Sequence, residues 1–215
     1  MMKKFNELPQ TPWAAKSLWE IETKSLLVLC FSLSLLGIGD GLLVLSNLGS
    51  APWTVLSQGI ALQAQFSVGW ASFIVSILVM LMWIPLRLKV GFGTILNVVL
   101  IALFLGLSIF YISPPSSLLA RFCYLITGII FFGIGTAFYL TCHQGAGPRD
   151  GLMVGLCHRF KLRIGIVRTL MEVSVCFLGF LLGGTVGIGT LLFATSIGWI
   201  IQLGVYFIMK LNKSV

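Results

Sequence analysis

The sequence predicts an all-α polytopic membrane protein built as an internal duplication, and three observations carry that prediction. Of 215 residues, 58% are hydrophobic and only 9% are charged, against about 25% charged in soluble domains. Six apolar runs fall at about 25–46, 66–86, 93–113, 122–142, 164–183 and 188–209, each near the roughly 20 residues that a membrane helix needs. An offset of 96 positions lays one half of the chain on the other.

Residues 1–24 mix lysines with Glu7, Glu20 and Glu22 and lack a cleavable signal pattern. Within them, "WAAKSLWEIETK" (13–24) reads as a short amphipathic helix at the cytoplasmic surface, with Trp13 and Trp19 at the interface. Repeat 1 then covers 25–112, a linker covers 113–120, repeat 2 covers 121–208, and a cytoplasmic tail covers 209–215. Each repeat reads as long helix, glycine-proline turn, short helix, long helix, G-x-G-T turn, long helix. The short segments, about 51–65 and 148–160, are too short to cross roughly 30 Å of hydrocarbon at 1.5 Å per residue. Each opens on a turn, "GSAPW" or "GAGPR", and a proline just inside a helix start forfeits only an unpaired N–H.

The repeat rests on positions. At the offset, Gly37 and Gly39 fall on Gly133 and Gly135, Gly49 on Gly145, Gly59 on Gly155, and Gly69 on Gly165. Gly91 and Gly93 fall on Gly187 and Gly189, and Pro52 falls on Pro148. Such periodicity marks a duplicated unit. Three spans per repeat invert the second half and give six spans; crossing short helices would give eight spans and parallel halves. With six spans and the N-terminus inside, Lys3, Lys4, Arg87, Lys89, the "HRFKLR" stretch, Lys210 and Lys213 share one side, leaving only Arg121 on the other. That distribution obeys the positive-inside rule, so six spans with inverted repeats are expected. Inverted repeats with broken helices at matching places are a transporter plan, with the solute site near mid-membrane.

The net charge of +8 does not indicate nucleic acid, because the basic residues sit at chain ends and between apolar runs. The five cysteines lie in or beside apolar segments without CxxC spacing and read as buried thiols rather than a metal site. No G-x-S-x-G, HExxH or paired-histidine pattern points to catalysis, so no enzyme, metal or cofactor is expected.

The candidate solute site is Arg149 and Asp150, adjacent ions behind a glycine-proline turn. Their repeat partners are Trp53 and Thr54, so the scaffold is duplicated but the charges are not. A helix start supplies free N–H groups, and Arg149 adds a fixed cation that can grip a carboxylate or phosphate. The plainer alternative has Asp150 capping the helix and Arg149 meeting headgroups. Arg168 and Glu172, four apart within a span, can pair; snorkelling of Arg168 and proton coupling by Glu172 are the other readings. Asp40 is the only acid in the first half's apolar runs, and either takes a cation or proton or bonds a neighbouring helix. Gly145, Gly147, Pro148, Gly49 and Pro52 are expected to shape the two half-helix starts. Asn97, Gln58 and Gln202 either line a polar path or bond between helices.

The runs "GAGPRDGLMVGL" (145–156), "RIGIVRTLMEV" (163–173) and "GTVGIGTLLFA" (184–194) resemble the YczE-like bacterial membrane proteins, related to the YitT group. The likeness covers about 25–208. It implies a six-span-like fold in the bacterial inner membrane and no particular activity. Unlike the longer YitT-like proteins, no soluble sensing module is expected after the last span. Two functions follow as expectations. The first is a small permease or exporter for a polar solute, an anionic one included. The second is a non-transporting scaffold that steadies a partner in the bilayer, alone or as a homo-oligomer.

Overall fold

A computed structural model describes residues 11–212. The lysines at 3, 4 and 213 and the glutamate at 7 lie outside the described residues. The elements are α1 (Thr23–Ser46), α2 (Pro52–Ala64), α3 (Val68–Leu81), α4 (Trp83–Leu86), α5 (Phe92–Tyr111), α6 (Leu118–Leu140), α7 (Pro148–Phe160), α8 (Ile164–Leu181) and α9 (Ile188–Asn212). Among the described residues, six stretches are long and apolar enough to cross a membrane: α1, α3 with α4, α5, α6, α8 and α9. The short helices α2 and α7 have 13 residues each and both begin on proline. The break between α3 and α4 falls four residues before Pro85, whose ring cannot donate to Leu81 and crowds its carbonyl.

Helices in lipid gain little from burying apolar surface, so small residues that let backbones approach decide the packing. Glycines do this along α1 and α6. A Cβ on Gly39 would stand 2.8 Å from the Gly128 carbonyl oxygen, and one on Gly135 would stand 2.7 Å from that of Ser32. Numbers rise along α1 as they fall along α6, so the two run antiparallel. Gly37 seats α5 against α1, and Gly133 seats α9 against α6.

The turns interlock between the halves. Gly93 N–H donates to the Gln144 carbonyl at 2.9 Å, and Gly189 N–H donates to the Leu48 carbonyl at 2.7 Å. These two bonds are related by the sequence offset, so each repeat's glycine-proline loop docks on the other's G-x-G-T turn. Gly49 and Gly145 sit there at φ +113° and +110°, backbone angles that a side chain strains. The helix pairs follow the same exchange: α1 packs on α5 and α6 on α9, while α2 packs on α8 and α7 on α3. One pair breaks it. α3 packs along α5, but their counterparts α8 and α9 form no packed seam.

Residues 13–22 correct the sequence reading, for they carry turns rather than an amphipathic helix. The cause is where their hydrogen bonds go. Ala15 N–H donates to the Cys142 carbonyl at 3.0 Å, and Trp13 Nε1 donates to Thr141 Oγ1 at 3.0 Å. Phe92 N–H donates to the Leu18 carbonyl at 2.8 Å, and Gln144 Nε2 donates to that of Glu20 at 2.6 Å. Strapping down the loop after α6 satisfies these groups better than a lone helical turn would. Trp13 also packs on the core formed by Leu29, Leu33, Tyr139 and Cys142. The strap therefore ties the start of α1 to the end of α6 and the start of α5.

Candidate functional site

The two glycine-proline loops bring the starts of α2 and α7 face to face inside the bundle. Several bonds fix the α7 loop. Tyr139 OH donates to the Gly145 carbonyl at 2.9 Å, Thr94 Oγ1 donates to that of Ala146 at 2.8 Å, and Trp83 Nε1 donates to that of Pro148 at 3.0 Å. Gly151 lies flat against the Trp83 ring. The position of Arg149 thus follows from tightly bonded neighbours rather than from a free loop.

Between these helix starts lies a cavity of about 430 Å³. Pro52 and Trp53 of α2, Gly147 to Asp150 of α7, Arg168 and Glu172 of α8, and Asn97 of α5 all line it. The Arg149 guanidinium carbon stands 5.4 Å from the centre of the Trp53 ring, within cation–π range. Arg168 Nε bonds Glu172 Oε1 at 3.0 Å. Among the described residues, the side chains of Arg149 and Asp150 make neither an ion pair within 4.0 Å nor a hydrogen bond. Arg149 is half-buried and Asp150 exposed, yet both line the cavity. The remaining wall is apolar, from Leu36, Phe132, Met171, Phe193 and Ile197 among others. A cation and a carboxylate with no hydrogen-bonded side-chain partner, in a largely apolar chamber, suit a small polar occupant with at least one charged group.

The expected site residues divide in two. Arg149, Asp150, Arg168, Glu172, Gly147, Pro148 and Pro52 meet at the cavity. Gly145 and Gly49 lie behind its wall, each packed against the opposite G-x-G-T turn. Asp40 is fully buried off the wall, where Thr54 Oγ1 donates to its carboxylate at 2.8 Å. It still lies close enough to Arg149 for their charges to interact. Gln58 Oε1 accepts from Thr185 N–H at 3.1 Å and so joins α2 to the loop before α9.

Trp53 was not singled out as a site residue. The offset marks it as the partner of Arg149, but only the fold brings the two face to face. The offset also pairs Asp40 with Thr136 and Thr54 with Asp150. Each repeat thus has one acid and one hydroxyl at these places, with the roles traded. In repeat 1 the pair is bonded. In repeat 2 Thr136 Oγ1 donates to its own helix at the Phe132 carbonyl, 2.8 Å away, and Asp150 is left to the cavity.

Cys142, beside His143, lies at the start of the loop after α6. Its sulfur lies 3.5 Å from the Phe138 carbonyl oxygen, and burial pushes its thiol up to about 12. It is therefore a neutral thiol at physiological pH, a poor form for metal binding or nucleophilic attack. A second hollow, bounded by Pro85, Arg87, Val154, His158 and Arg159, opens at the far end of α7 away from these groups.

Together these features define a polytopic α-helical membrane protein with a largely apolar cavity, carrying a few charged side chains, where two short helices meet. The chain belongs to a family of unknown function, DUF6198, whose model matches residues 23–205, from the start of α1 into α9. A Haemophilus influenzae protein described only as uncharacterized is 58% identical over 211 residues, covering 98% of this chain and 97% of that one. The Bacillus subtilis membrane protein YczE is 28% identical over 185 residues, covering 86% of this chain and 83% of its own. YyaS of the same organism is 28% identical over 162 residues, covering 74% and 81%. No solved structure matches the chain.

Proposed function

We propose that this protein is a permease for a small polar solute with an acidic group, which Arg149 receives at the start of α7. The observation that carries the reading is the pair of unpartnered ions, Arg149 and Asp150, in a cavity of about 430 Å³. Ionisable groups that line a chamber between membrane helices tend to serve a pathway. Trp53 holds the guanidinium by its face and leaves its N–H fork for the solute. The α7 start adds free backbone N–H groups and the positive end of a dipole. Asp150 takes a positive group of the solute or a proton. No covalent step is involved, and no metal or cofactor is required.

The site of action in this reading is the bacterial inner membrane, with both termini cytoplasmic. Arg87, Lys89, Arg159, Lys161 and Lys210 then share the cytoplasmic side. The α1–α6 antiparallel pairing supports it. The strapped end of α6 lies beside the start of α1, which requires an even number of crossings between the two helices. Six spans supply two crossings there, whereas eight spans would supply three.

A thermal-shift screen of the purified protein tests the reading, with amino acids, organic acids, nucleotides and thiols as probes. A solute at one hundred times its Kd adds about 2.7 kcal/mol to stability, a rise of several degrees. No rise with any probe would favour the alternative, a membrane scaffold whose charges form a structural network.

A further inference from the structure

We propose that α8 and α9 close on each other at Gly165 and Gly198, and that α3 and α5 part at Gly69 and Gly106 in the same motion. Access to the cavity then passes from one side of the bundle to the other. The inference supplies the movement that the permease reading needs, but its test requires no solute.

The argument starts from the offset, which pairs Gly69 with Gly165, Ala102 with Gly198 and Gly106 with Gln202. In repeat 1 these residues form a tight seam. A Cβ on Gly69 would stand 2.8 Å from the Ala102 carbonyl oxygen and 2.9 Å from the Gly106 Cα. In repeat 2 the counterparts are apart. A Cβ on Gly165 or on Gly198 would meet nothing within 4 Å beyond its own helix. Glycine inside a helix costs about 1 kcal/mol relative to alanine. Two glycines on neighbouring helices that touch nothing have no packing role in this arrangement, and they acquire one when the helices close as their counterparts do.

The fixings fit a pivot. The C-terminal end of α8 is bolted to α2: a Cβ on Gly179 would stand 2.5 Å from Leu56 N, and Gln63 Nε2 donates to the Leu182 carbonyl at 3.0 Å. Gly183 follows at φ +96°. α8 otherwise packs on α7, and Ile164 and Ile166 at its N-terminal end are exposed. α8 is therefore fixed to α2 at its C-terminal end, while its N-terminal end is exposed and has no packed seam with α9. In repeat 1 the equivalent end of α3 is held by Trp83 against Pro148, while its start is clamped to α5.

The swinging part carries Arg168 and Glu172, whose counterparts are Ser72 and Ser76. Both serines are buried at the closed seam, whereas Arg168 is exposed and Glu172 half-buried. Closure therefore draws the Arg168–Glu172 pair inward over the cavity. The pair enters as a neutral unit, which lowers the cost of taking its charges out of water. Gly165 lies near the strapped end of the bundle and Gly69 near the opposite end, so the open and closed seams face opposite sides of the membrane. Two halves that trade conformations give alternating access.

The test is a cysteine pair, Gly165→Cys with Gly198→Cys, in a variant whose five native cysteines are replaced by serine or alanine, reconstituted in lipid nanodiscs. Cysteines bridge only when their Cα atoms come within about 7 Å. Oxidation followed by a maleimide reads the bridge by intact mass, as monomer carrying no adduct instead of two. The expected result is a bridge that accumulates, and a several-fold faster rate with Gly69→Phe added, which wedges α3 from α5. Gly106→Leu replaces Gly69→Phe if the latter fails to elute as a folded species. Two adducts retained in both backgrounds, or bridging that the wedge leaves unchanged, would overturn the proposal.

Discussion

Arg149→Ala is expected to weaken binding of the solute by roughly 100-fold, about 2.7 kcal/mol, while the empty protein still folds and its unfolding midpoint falls by only a few degrees. A charged hydrogen bond contributes about 1.5–3 kcal/mol, and an acid left facing an apolar wall loses more. The empty protein is less sensitive because Arg149 makes no ion pair within 4.0 Å and no hydrogen bond to another described side chain. Its contact with the Trp53 ring and its longer-range charge interactions with Asp40 and Asp150 are lost. Arg149→Lys keeps the charge but neither the planar fork nor its stacking, so a loss of roughly tenfold is expected. Isothermal titration with a solute found by the screen measures both. Wild-type affinity in Arg149→Ala would remove the site from the start of α7. A collapse of the empty protein would make the residue structural.

Thr54→Val is expected to cost about 2–3 kcal/mol of stability, because it strips a fully buried carboxyl of its bonded donor. For a chain of this size that lowers the unfolding midpoint by roughly 5–10 °C. Adding Asp40→Leu is expected to recover most of the loss, since removing both polar partners leaves nothing unsatisfied. Thermal unfolding of the four proteins in one detergent gives the coupling. Additive losses would mean that Asp40 has another partner and that its bond to Thr54 contributes little.

Much of this structure is written in the chain. The span boundaries follow from apolar runs and prolines: Pro52 and Pro148 start α2 and α7 as expected. The glycine offset also identified, position by position, residues that turn out to pack as equivalents, such as Gly93 on Gln144 and Gly189 on Leu48. The strap over residues 13–22 was not legible. Tryptophans spaced among charged residues fit an interfacial helix by pattern, and only the unsatisfied loop after α6 redirects them. Nor was the placement of Asp40, because a lone acid in a span has no sequence mark that separates a bonded carboxylate from a cavity-lining one. Trp53 was missed for a related reason. A repeat offset says which residues are equivalent, and not that equivalents near an exchange axis touch. The parting of α8 from α9 was equally hidden, since both repeats carry similar glycines and only one is closed.

Solute counterflow tests the central claim most directly. Vesicles containing the protein are loaded with the unlabelled solute found by the screen and diluted into a trace of labelled solute. Wild-type vesicles are expected to accumulate label transiently, and Arg149→Ala vesicles to match protein-free ones. Wild-type protein that binds the solute yet leaves uptake at the protein-free level would contradict the account, leaving a binding or scaffold protein in place of a permease.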